Sequence, residues 1–73
     1  MPKLYSARQI VKALRRIGFE IVSQKGSHIK LKGTFDEETY TVIVPNHKEV
    51  ALGTLQSILK QAGITKEELE DNI

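Results

Sequence analysis

Apolar residues recur at Ile10, Val11, Leu14 and Ile17, with basic or polar residues between them. That three-to-four spacing predicts a helix with one apolar face. Ser6-Ala7-Arg8-Gln9 supplies a capping box at its start, and Gly18 is the expected left-handed stop. The period then changes. Phe19 to Ser23 is rich in β-formers, and Gln24-Lys25-Gly26-Ser27 reads as a turn. From His28 to Lys32 the pattern alternates, with Ile29 and Leu31 on one face and His28, Lys30 and Lys32 on the other. Gly33 to Glu38 reads as an acidic hairpin loop, and Thr39 to Val44 as a third strand ended by Pro45. Short connections between three strands imply an antiparallel meander. Asn46 to Ala51 is expected to be a loop. Leu55, Ile58, Leu59 and Ala62 mark a second helix from about Thr54 to Ala62, stopped by Gly63. Thr65-Lys66-Glu67-Glu68 is a second capping box, opening a short last helix. The expected fold is α+β in the order α-β-β-β-α with a short C-terminal helix. Two helices cover one face of a three-stranded antiparallel sheet, and the other face is wet.

Length confines this to one domain over residues 1–73, since a chain of that size builds one small core. The absence of cysteine excludes a disulfide scaffold and a zinc ribbon. No apolar run approaches the roughly 20 residues of a membrane span, and the N-terminus lacks a signal-peptide core, so a cytoplasmic protein is expected. The net charge of +2 hides a strong asymmetry. Residues 1–34 carry eight Lys or Arg against Glu20 alone, a balance of +7; residues 35–73 carry three against eight acids, a balance of −5. A positive surface suited to a polyanion follows, with Arg8, Lys12, Arg15 and Arg16 gathered opposite the apolar face of the first helix.

His28 carries the most information about chemistry. Strand alternation puts it on the exposed face with Lys30 and Lys32, directly after Lys25-Gly26-Ser27, where backbone can approach a phosphate. An imidazole, with an ordinary pKa of about 6.5, exchanges protons near neutrality. Ser27 is a poor nucleophile candidate, because adjacent strand residues point to opposite faces. His28 and His47 stand 19 residues apart, with no cysteine and scattered acids, which is no metal-ligand spacing, so neither metal nor cofactor is expected.

Four blocks follow one another along the chain: Gly26-Ser27-His28-Ile29-Lys30, Val42-Ile43-Val44-Pro45-Asn46-His47, Gly53-Thr54-Leu55, and Ile58-Leu59-Lys60-Gln61-Ala62-Gly63-Ile64. Together they resemble the successive signatures of HicA toxins, over Ser6 to about Ile64. The resemblance implies a fold like the double-stranded RNA-binding domain, endonucleolytic cleavage of messenger RNA, and a HicB-type antitoxin as partner. The family's catalytic histidine, the one after Gly-Ser, falls on His28. A histidine two residues after the proline also recurs and falls on His47, whose role is open between general acid, phosphate ligand and loop residue. On this reading the protein is a metal-independent ribonuclease, monomeric when free. Lys25, Lys30 and Lys32 hold the phosphate with help from the backbone at Gly26 and Ser27, and Arg8, Lys12, Arg15 and Arg16 give a further RNA contact. The alternatives are a non-catalytic RNA-binding module, which would not need His28, or a protein-interaction domain of the same fold, whose positive face docks an acidic partner without excluding nuclease activity.

Overall fold

The structure is a computed structural model that describes residues 3–73; Met1 and Pro2, part of the expected 1–73 domain, lie outside the described residues. Its elements run α1 (Ala7–Ile17), β1 (Glu20–Lys25), β2 (His28–Phe35), β3 (Glu38–Pro45), α2 (Leu52–Ala62) and α3 (Lys66–Glu70). The strands form one antiparallel sheet in the order β1-β2-β3. This is the expected α-β-β-β-α arrangement with its short last helix.

Both capping boxes form. Ser6 Oγ accepts from the Gln9 amide at 3.1 Å while Gln9 Oε1 accepts from the Ser6 amide at 3.0 Å, and Thr65 and Glu68 repeat the exchange at α3. These bonds satisfy amides that a helix start leaves without intrahelical partners. Ala7, Ile10, Val11, Ala13 and Leu14 bury the inner face of α1, and Arg8, Lys12, Arg15 and Arg16 stay exposed. Gly18 ends the helix at a positive φ of 132°, outside the left-handed helical region expected for it. In one core, α1 meets Ile29, Leu31, Val42 and Val44 from the sheet, Leu55 and Ile58 from α2, and Leu69 from α3.

The first hairpin closes on two residues, Gly26 and Ser27, so Gln24 and Lys25 belong to β1 and not to the expected four-residue turn. Gly26 has a φ of 58° and Ser27 does not share the positive region, as in a II′ turn led by glycine. Nothing lies within 4 Å of where a Gly26 side chain would start, so conformation alone requires glycine there.

The second hairpin corrects the sequence reading. Gly33, Thr34 and Phe35 are strand residues, and the turn is only Asp36-Glu37. Gly33 is buried for a spatial reason. A Cβ there would lie 2.8 Å from the Phe35 ring and 2.9 Å from the Phe19 ring, which pack with centroids 5.3 Å apart. The turn itself places two non-glycine residues at positive φ, Asp36 at 51° and Glu37 at 67°. Aspartate tolerates this better than glutamate. Glu37→Gly is therefore expected to stabilise the fold by about 1 kcal/mol, raising the melting temperature by roughly 4–8 °C for a domain of this size. A thermal melt showing no gain would mean that the Glu37 backbone carries no such cost.

Helix α2 starts at Leu52, two residues before the expected Thr54, with Ala51 preceding it and no side-chain cap. Its Gln61 reaches over the sheet edge, where Oε1 accepts from the Ile43 amide at 2.9 Å. The Ile43 N–H therefore points outward from β3. Pro45, two residues on, has its missing N–H on the same outer edge, where it costs no ladder bond. Helix α3 lies against α1. The buried Tyr5 donates its hydroxyl to Glu70, 65 residues away, and Arg16 donates to the Asn72 carbonyl at 3.3 Å. The Tyr5 hydroxyl pKa is raised above its ordinary 10.0, first by that hydrogen bond and then by burial and the Glu70 charge.

Candidate functional site

Strand register sorts the candidate residues between two faces. Lys25 pairs with His28, and His28 with Pro45; Lys30 pairs with Ile43; Lys32 pairs with Glu20 and Thr41. Directly paired residues share a face, so Lys25, His28, Pro45, Lys30, Ile43 and Lys32 all stand on the side of the sheet that the helices leave open. His28 is exposed there, beside Lys25 on one flank and the Pro45 ring on the other. Lys30 follows at about 7 Å along the strand and Lys32 at about 14 Å. Lys25 and Lys30 thus flank His28, whereas Lys32 stands two rows away with the Glu20 carboxylate as its cross-strand neighbour. Ile43, 37% exposed, puts an apolar side chain among these cations.

Two features fix the hairpin that carries His28. The Ser27 carbonyl accepts from the Asn46 amide at 2.6 Å, tying the Gly26-Ser27 turn to the chain leaving β3. The 46–50 loop is in turn strapped to the start of α1: Ala7 N–H donates to the His47 carbonyl at 2.9 Å, and Val50 N–H to the Tyr5 carbonyl at 2.8 Å. The Ser27 carbonyl is consequently occupied.

The basic residues of α1 lie elsewhere. Arg8, Lys12, Arg15 and Arg16 line a groove of about 650 Å³ with Val11, Ile29 and Asn46. Ile29 belongs to the helix-covered face, opposite to His28. Asn46 and Arg8 also border a second cavity, of about 510 Å³, with Ser6, His47 and Lys48. The structure therefore groups His47 with Arg8 on the groove side, while His28 lines neither cavity. Among the described residues no three His, Asp or Glu side chains cluster as metal ligands, and no helix is long and apolar enough to cross a membrane. Tyr5 is a core residue, and Tyr40 packs on Phe35 with its hydroxyl near Glu38, whose charge raises the Tyr40 pKa.

Asn46, Val11 and Ile29 as groove residues escaped the sequence reading. The last two register only as core positions by periodicity, and nothing in one dimension says that a core residue also floors a cleft.

A family model described as HicA toxin of bacterial toxin-antitoxin matches residues 7–64. The span takes in every candidate residue from Arg8 to His47 and leaves out α3. No curated protein matches the chain.

Proposed function

The chain belongs to the HicA family of bacterial toxin–antitoxin toxins, and from that membership we propose that it is a messenger-RNA endoribonuclease using His28 as general base. The observation that supports this best is the place of His28: exposed, on a regular strand, directly beside Lys25 and one row from Lys30. The imidazole removes the proton from a ribose 2′-OH, which then attacks the adjacent phosphorus. Lys25 and Lys30 stand where they offset the charge building on the phosphoryl oxygens. Lys32 is too far along the strand for the same group and serves a neighbouring phosphate, as do Arg8, Lys12, Arg15 and Arg16 on the groove side. Gly26 and Ser27 let the backbone approach the RNA closely. His47 lines a cavity with Arg8 that His28 does not line, which favours a phosphate ligand over an acid in the reaction.

An antitoxin of the HicB type would silence this chemistry by covering the open sheet face. Exposed Ile43 among lysines offers it an apolar anchor within a positive rim. The chain works as one domain in the cytoplasm, as a monomer until the antitoxin binds.

Purified protein is expected to cut single-stranded RNA at an undiminished rate in EDTA, because the proposed steps use only an imidazole and ammonium groups. Cleavage that is lost in chelator and restored by magnesium or manganese would replace this mechanism with a metal-dependent one. No cleavage under either condition would leave an RNA-binding or protein-binding toxin.

A further inference from the structure

The two cationic surfaces lie on opposite sides of β2. His28 and Lys30 face away from the helices, whereas the groove under Arg8, Lys12 and Arg15 is floored by Ile29 from the other side of the same strand. The Gly26-Ser27 turn, with Asn46 hydrogen-bonded to it, forms the sheet edge at the end of β2 where the two faces meet. We propose that this groove is a second RNA subsite taking an unpaired nucleotide, its base on Val11 and Ile29 and its phosphates on Arg8, Lys12 and Arg15, so that the strand bends around the Gly26-Ser27 turn to His28 and the substrate is single-stranded. The inference deepens the reading of the protein as a ribonuclease and rests on RNA being its ligand.

Three observations carry it. The first is composition. A surface that only tracks phosphates needs cations, but this groove adds an apolar floor, which suits the face of an unstacked base. The second is size. About 650 Å³ falls within the range of roughly 300–1,000 Å³ typical of small-ligand pockets, so a nucleotide fits inside it. The third is the path. The molecule is only 18 Å across its shortest dimension, and a strand contacting both sites must turn around its edge. Duplexes stay stiff over about 50 nm and cannot make that turn, whereas a single strand can. Arginine supplies three of the four groove cations, and its planar head both pairs with phosphate and stacks on bases. An acidic protein segment would answer the charge alone and leave the apolar floor at Val11 and Ile29 unexplained.

The test is equilibrium binding of a 12-nucleotide RNA, single-stranded or annealed to its complement, to the full chain carrying His28→Ala so that nothing is cut. Arg8→Glu/Lys12→Glu and the milder Lys12→Gln/Arg15→Gln are each placed on that background, with the fold checked by thermal melting. The single strand is expected to bind at least about tenfold tighter than the duplex. Either double variant is expected to weaken single-strand binding by about tenfold or more and to lower the log–log salt slope by about 1.4, at roughly 0.7 per phosphate contact. Equal affinity for duplex and single strand overturns the proposal, as does an unchanged affinity and slope in both variants. Groove-dependent single-strand binding by a protein that never cuts RNA upholds the subsite and removes the nuclease reading, so the two failures are distinguishable.

Discussion

Replacing His28 with alanine is expected to lower RNA cleavage by about 10²–10⁴-fold, the usual contribution of a general base, and to abolish growth inhibition by the expressed toxin. The fold should barely register the change. His28 is exposed, so its removal opens no core cavity, and no side-chain hydrogen bond to it is seen among the described residues. Surface substitutions of this kind stay within about 0.5 kcal/mol. A melting temperature close to the parent, together with lost activity, separates a chemical role from a structural one. The exposed position Thr34, on the same strand face but at the far end of β2, is the natural control, because Thr34→Ala removes only its contact with Thr39. Purified His28→Ala that cuts RNA at the parental rate would remove the imidazole from the mechanism.

Substituting 2′-deoxyribose at the cut position is expected to leave RNA bound but uncut. The 2′-oxygen is covalently held beside the phosphorus, so its attack has a proximity advantage that a bound water would have to be given. In the proposed step the 2′-O–P bond forms and the P–O5′ bond breaks. The 2′ proton passes to His28, and the departing 5′-oxygen takes a proton from Lys30 or water. The upstream fragment then ends in a 2′,3′-cyclic phosphate or its 3′-phosphate, and the downstream fragment begins with a 5′-hydroxyl. Lys30 is half-buried one row from His28 on the same face, close enough to stabilise the phosphorane as it forms. Mass spectrometry of the fragments decides the matter. A 5′-phosphate on the downstream piece, or cleavage of the deoxy substrate, would rule out 2′-OH attack even with His28 essential.

The parts of the fold with strictly local causes were legible in the sequence. Both capping boxes depend on residues three apart, and each forms as read from Ser6 to Gln9 and Thr65 to Glu68. Strand alternation likewise puts His28, Lys30 and Lys32 on one face, because a period of two leaves no other choice. Misreadings arose where a residue answers to something distant. Gly33 resembles a turn glycine, but it is in the strand to make room for two aromatic rings, one of them 14 positions earlier in the chain. The real turn at Asp36-Glu37 lacks the glycine that usually announces a type I′ geometry. The second helix, read from about Thr54, begins two residues earlier at Leu52 with no side-chain cap to announce it. For the site, the helix 1 stripe and the His28 face were each readable alone. Their separation by the thickness of the sheet was not, since it depends on which face the helices cover.

The tightness of the two turns also sets the order in which the chain assembles. Each hairpin closes over two residues, so its loop-closure cost is small, and such hairpins form in about 1–10 μs. The bond between Tyr5 and Glu70 joins positions 65 apart and depends on α3, a five-residue helix too short to persist by itself. The meander and the helices packed on it are therefore expected to form first and α3 to dock last. The same ranking is expected in the native protein, with the α3 amides exchanging before those of β2. A newly made chain is expected to form the strand surface bearing His28 before Tyr5 and Glu70 have met.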